Sequence, residues 1–247
     1  MIKYVYTIPM ITTLLATMIL AAPSTNIYDY VPTGFRDATF VAKVSSADFK
    51  ELKKINDDFT QSYRFKQSQV WIKDPFMLKM VSTIEDTKIT FLMNGGMRQT
   101  SIPRSKINLK ENVSKKPGKH QTQFDFGMLS PSLFKGFFQA EFVRIDRATG
   151  DGVFDFTYPA ILKDTSRHRV WIDLEKKMMT KREWYGQIKI NDGRLMASMV
   201  YSNPKQENGI WVNQKVTVFN ADNKQAGVIV YSGFDLNSGL KDEFFKI

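Results

Sequence analysis

Along residues 65–103, apolar side chains recur at every second position, and they do so on both sides of the alternation. Val70 and Ile72 alternate with Trp71 and Lys73. Phe76, Leu78 and Met80 alternate with Met77, Lys79 and Val81, and Ile89, Phe91 and Met93 alternate with Thr90 and Leu92. A period of two predicts consecutive β-strands. Pro75 has no N–H to give to a ladder and belongs in the first connection, while Asn94-Gly95-Gly96 supplies the positive-φ residues of a tight hairpin. The stretch reads as an antiparallel meander. A sheet with one wet face needs apolar residues on one side only. One face of this meander therefore meets a core, and the other meets either a second layer of protein or a cavity that holds an apolar ligand.

The rest of the chain repeats the pattern with interruptions. Residues 34–44 alternate as a first strand. Ser45-Ser46, followed by apolar residues at near-helical spacing over 47–59, predicts a short Ser-capped helix. Ser130 as N-cap and Pro131 at the first helical position start a second helix. Its Leu133, Phe134, Phe137, Phe138 and Phe142 form an aromatic stripe that packs into a core or closes the mouth of a barrel over a ligand. Further strands follow at 152–158, 168–174, 178–185, 194–201, 210–219 and 227–234, enough for an antiparallel sheet that curls. No repeat or linker boundary divides them.

The first 24 residues read differently. A short start carrying Lys3 leads into an apolar run, residues 8–22, that falls short of the roughly 20 residues a membrane span needs. Small residues follow it. This predicts a secretory signal, residues 1–24, cleaved to leave one domain, residues 25–247, soluble in the periplasm.

Composition narrows the chemistry. The chain has no cysteine, which excludes disulfides, a thiolate nucleophile and Cys-based metal sites. Its two histidines, His120 and His168, form no metal-spaced cluster, and no phosphate-cradling glycine loop is present. Ser132 and Lys135 satisfy S-x-x-K without the companion motifs of serine acyltransferases. No catalytic residue, metal or cofactor is expected, and binding is left as the function. The net charge of +10 favours anionic surfaces. No basic-aromatic motif points to nucleic acid. The basic stretch 101–123, with Arg104, Lys106, Lys115 and Lys116, reads as a solvated loop or as a contact for lipid head groups.

Gln67-Ser-Gln-Val-Trp71-Ile-Lys-Asp-Pro75, with the meander after it, resembles the Trp-x-Lys-x-Pro region of the bacterial periplasmic lipoprotein carriers of the LolA and LolB family. Residues 34–44 resemble that family's first strand, and the Phe-rich stretch after Ser130 its central helix. His168-Arg-Val-Trp171-Ile-Asp, Lys181-Arg182-Glu183 and Asp192-Gly193-Arg194 are similar to the broader outer-membrane lipoprotein-sorting set. The resemblance implies a mainly β protein, a half-open antiparallel barrel covered by short helices, whose apolar cavity carries acyl chains of a lipid or lipoprotein. It implies a monomer in transient contact with a membrane or an envelope protein. An alternative is a lipid-sensing module that regulates an envelope partner. The residues available to such a cavity are Val70, Trp71, Ile72, Leu78, Met80, Phe91, Met93, Leu133, Phe134, Phe137 and Phe138. Periodicity leaves open whether the face with Val70, Ile72, Leu78 and Met80 or the one with Trp71, Met77, Val81 and Leu92 lines it. One departure stands out: where the carriers place an arginine that helps latch the lid, this chain has Asp74.

Overall fold

The computed structural model describes residues 24–247, so all but the last residue of the predicted signal lies outside the described residues. Every strand joins one antiparallel sheet. Its strands are β1 (Asp37–Ala47), β2 (Gln67–Lys73), β3 (Met77–Ile84), β4 (Thr87–Asn94), β5 (Met97–Ile102), β6 (Ile107–Asn112), β7 (Gln139–Ile145), β8 (Gly152–Thr157), β9 (Arg167–Asp173), β10 (Met178–Tyr185), β11 (Leu195–Glu207), β12 (Ile210–Asn220) and β13 (Gln225–Leu236). The order is β6-β5-β4-β3-β2-β1-β13-β12-β11-β10-β9-β8-β7. The first and last strands pair at the centre, and the two free edges, β6 and β7, are consecutive in sequence. Their connection, residues 113–138, must therefore pass from one edge to the other.

The period-two pattern works as expected on the concave face. Phe40, Val70, Ile72, Leu78, Met93, Phe154, Phe156, Val170 and Ile172 are all buried there in one core. Trp71 lies on the opposite, convex face, so it does not share a surface with Val70 and Ile72. Protein covers it: the residues after β13 fold back over β2–β4, Phe244 packs edge-on to Trp71 at 5.3 Å, and Phe245 is fully buried. Lys73 Nζ donates to the Leu240 carbonyl at 2.6 Å, Asn94 Nδ2 to that of Phe245 at 3.2 Å, and Lys79 Nζ sits 3.8 Å over the Phe244 ring. This strap is the second layer that the doubly apolar meander requires.

Three expectations are corrected. The first helix is two, α1 (Phe49–Ile55) and α2 (Asp57–Ser62), because Asn56 is extended and its side chain caps the second. Its N-cap is Asp48, whose carboxylate accepts from the Lys50 and Glu51 N–H groups; Ser45 and Ser46 belong to β1. The basic stretch 101–123 is not simply a loop, since β6 lies inside it. That strand is mostly solvent-exposed, which hides its apolar alternation, and its pairing is reinforced by Arg98 and Glu111 at 2.9 Å. The helix expected from Ser130 is a single 3-10 turn, Pro131–Phe134. Gly136 takes φ of +102°, which ends helical continuation and turns the chain into β7.

Candidate functional site

Residues 113–138 fill the concave side of the sheet with aromatic side chains. Phe138 stands 4.9 Å from Phe124, 4.7 Å from Phe137 and 5.1 Å from Tyr158 on the wall, while Phe134 packs on Phe156 at 5.0 Å. Leu133 is fully buried, and Phe40 meets Phe126 at 5.3 Å. The stripe seen in the sequence thus packs against protein, as a plug through the barrel.

Toward β6 the filling thins. Direct cross-strand partners run Phe40, Val70, Met80, Phe91, Thr100 and Leu109, all on the concave face. Burial falls along this ladder: Phe40 and Val70 are fully buried, Met80 and Phe91 half-buried, and Leu109 is 65% exposed. The half-buried Phe65 packs edge-on to Phe91 at 5.7 Å. A nearly continuous apolar track therefore leads from solvent at the open edge into the core. Of the residues the sequence put forward, Val70, Met80 and Phe91 lie on this ladder. Ile72, Leu78 and Met93 lie beside it on the same face, and Leu133, Phe134, Phe137 and Phe138 belong to the plug. Trp71 stands apart.

Similarity to known proteins is visible only in three dimensions. No family model matches the sequence, and no curated protein does either. A LolA-superfamily protein from Nitrosomonas europaea superposes with a TM-score of 0.60 at 14% identity, over 90% of this chain and 94% of its own. A putative outer membrane lipoprotein-sorting protein domain from Vibrio parahaemolyticus gives 0.59 at 12%, over 89% and 93%, and a DUF1329 family protein from Desulfovibrio piger gives 0.58 at 12%, over 86% and 90%. The fold is LolA-like. Among the described residues of this LolA-like barrel, no helix is long and apolar enough to cross a membrane.

Asp74, the departure from the carriers' pattern, holds the plug. It sits in the β2–β3 turn, and its Oδ1 accepts from Gln123 Nε2 and Ser130 Oγ, each at 2.8 Å, and from Ser132 Oγ. Gln123 also donates to Ser130 Oγ at 2.8 Å. All three donors belong to residues 113–138. Where the resemblance implied an arginine, the barrel thus presents a carboxylate that accepts from residues 113–138. The same network occupies the two hydroxyls that the sequence marked as a helix cap and as S-x-x-K. Nothing in the local pattern gives this away, because Gln123, Ser130 and Ser132 meet Asp74 only through the fold.

Arg182 is a buried cation inside the LolA-like barrel, and the sequence marked it only as part of the Lys181-Arg182-Glu183 motif, not as a site residue. It alternates with outward-facing Lys181 and Glu183 on β10 and is only 7% exposed. Its Nη1 donates weakly to the Phe124 carbonyl at 3.4 Å and lies 3.8 Å from Asp125, and its guanidinium is 4.6 Å over the Phe124 ring. Burial, then Arg182 and Arg167, hold His168 well below the usual imidazole range, so this side chain is neutral.

The surface cations divide. Lys116 pairs with Glu111 at 2.7 Å and Lys119 at 3.3 Å, which holds the Glu111 carboxyl down to about 2. Arg104, Lys106 and Lys115 are exposed. A second basic surface went unread in the sequence. In the β8–β9 and β10–β11 loops, tied together by the Ile188 N–H donating to Thr165 Oγ1 at 3.0 Å, Ile161, Ile188 and Ile190 are 82%, 62% and 72% exposed beside exposed Lys163, Lys189 and Arg194.

Asp74→Ala removes the charged acceptor that Gln123, Ser130 and Ser132 share and leaves them only their bonds to one another. Hydrogen bonds to a charged group contribute roughly 1.5–3 kcal/mol each, so amides in residues 122–134 are expected to exchange at least about tenfold faster while the β9–β12 amides keep their protection. Hydrogen exchange read by mass spectrometry decides this, and uniform exchange in the two regions would remove the latch.

Proposed function

We propose that the protein is an extracytoplasmic carrier, exported to the periplasm, that holds the acyl chains of a lipid or lipoprotein along the concave face and moves them through the envelope. The observation that carries this reading is the ladder from exposed Leu109 through Phe91 and Met80 to buried Val70 and Phe40 at the open edge of the sheet. The fold shared with a LolA-superfamily protein and with an outer membrane lipoprotein-sorting protein domain supports it.

The energetics permit the exchange such a carrier needs. Burying a large apolar side chain contributes about 1.5–3 kcal/mol, so moving Phe124, Leu133, Phe137 and Phe138 off the concave face costs about 6–12 kcal/mol. An acyl chain burying about ten methylenes returns roughly 8 kcal/mol. One such chain returns about as much as moving these four side chains costs, and the buried Val113, Met128 and Leu129 with the Asp74 hydrogen bonds add to what a cargo of several chains offsets. Delivery requires contact with a membrane, and the isoleucine tip with its three cations suits an anionic bilayer: apolar side chains enter the interface while lysine and arginine meet phosphate.

Two measurements test the reading. Protein made in a bacterial envelope and purified without detergent should carry acyl species in native mass spectrometry, and a folded Phe91→Asp variant should lose them. A wild-type protein that is empty and also takes up no fluorescent fatty acid would contradict the carrier. In a separate assay, the wild type should co-float with phosphatidylglycerol vesicles and the Ile188→Asp/Ile190→Asp double variant should not; equal flotation of the two would exclude this tip as the contact.

A further inference from the structure

Arg182 is a buried cation whose close polar partners are supplied by the plug. Phe124 gives it a carbonyl at 3.4 Å and a ring face at 4.6 Å, and Asp125 gives a carboxylate at 3.8 Å that is itself 41% exposed on its side chain. None of these contacts comes from the sheet that carries it. Its Nε is enclosed and, among the described residues, has no hydrogen-bond partner. An enclosed guanidinium with an unused donor and one long ion pair is under-satisfied, because a planar fork of five N–H groups is matched by a bidentate anion.

The position matters as much as the deficit. Arg182 projects inward from β10, cross-strand from Met199 on one side and Val170 on the other, so it faces the same interior as the ladder. Phe126, next to Asp125 in the plug, packs on Phe40 at 5.3 Å and on Tyr231 at 6.4 Å, which places this part of the plug at the ladder's buried end. Among the described residues the one ion pair of Arg182 is the long one with Asp125. A chain that displaced the plug would strip Arg182 of Phe124 and Asp125 together and leave a bare charge in an apolar chamber. That outcome is avoided only if the ligand brings an anion with it.

We propose that Arg182 is the anchor for the anionic head of the ligand, exchanging Asp125 and the Phe124 carbonyl for a carboxylate or phosphate when an amphiphile replaces the plug. The proposal rests on the carrier reading of the preceding subsection and adds a ligand class to it: a single-chain anionic amphiphile rather than a neutral lipid. Asp125 then acts as a built-in competitor, occupying the guanidinium while the barrel is closed.

The test compares myristate with myristyl alcohol, equal in chain length and different only in the head, by displacement of a neutral fluorescent probe from the purified protein at pH 8. The wild type is expected to bind the acid at least about tenfold more tightly than the alcohol, the discrimination a charge-assisted hydrogen bond gives. Arg182→Met should bind both with the alcohol's affinity. Asp125→Asn, which removes the competitor and keeps the arginine, should bind the acid more tightly and the alcohol unchanged, and it serves if Arg182→Met does not fold. Equal affinities for acid and alcohol in the wild type would overturn the anchor and leave the carrier standing. Displacement by acetate alone would mark a free-anion site and overturn the amphiphile. Displacement by neither long-chain compound would overturn both readings.

Discussion

A curled sheet whose two edge strands follow one another in sequence forces the link between them across its own concave face. Here β1 and β13 close the centre of the sheet, β6 and β7 are left at its margins, and residues 113–138 have no short route between them. The link becomes the filling. Phe124, Leu133, Phe137 and Phe138 occupy the space that a closed barrel would fill with inward side chains from all around. The filling comes from one contiguous segment and not from the strands, and the proposed carrier function uses that separation: the segment would leave as a unit while the sheet's ladder hydrogen bonds persist.

Two charged side chains inside the barrel meet that segment. Asp74 on the wall takes three donors from the plug, and Arg182 on the opposite half of the sheet takes the plug's Phe124 carbonyl and Asp125. Apolar packing alone would hold residues 113–138 in many nearly equivalent ways. Two charged fixings of opposite sign define one arrangement and make its release depend on what replaces them. The strap after β13 closes the convex face over Trp71 with Phe244 and Phe245 and is likewise held by polar groups of the wall: Asp37 accepts from the Ser238 N–H and Oγ and from the Gly239 N–H, and Lys73 pairs with Asp242.

The strands and the open barrel were legible in the sequence because alternation is a local property: Val70, Ile72, Leu78 and Met93 are inside wherever the meander sits. The resemblance to the lipoprotein carriers, drawn from scattered short motifs, agreed with the fold although no sequence comparison reaches it. What failed was whatever depended on the third dimension. The spacing of Leu133, Phe134, Phe137 and Phe138 is compatible with a helix, yet Gly136 at positive φ turns the chain and the stripe becomes a plug. Trp71 looked like a cavity residue until the C-terminal strap covered it. Leu109 was lost in a basic stretch because an edge strand is exposed on both faces. Arg182 reads as one more surface cation between Lys181 and Glu183, and only the pleat shows that it points inward. Asp74 was visible as an anomaly, but its three donors lie 49 to 58 residues away.

A carrier that holds cargo on the concave face requires residues 113–138 to move off it when cargo enters. The absence of cysteine makes this directly measurable. Spin labels on Gln121→Cys in the plug and on Thr83→Cys, an exposed residue of β3, report one distance by pulsed electron resonance, with and without a saturating long-chain fatty acid. A narrow distribution is expected in the empty protein and a longer, broader one when the acid is bound. Tight binding of the acid with the distribution unchanged would contradict it.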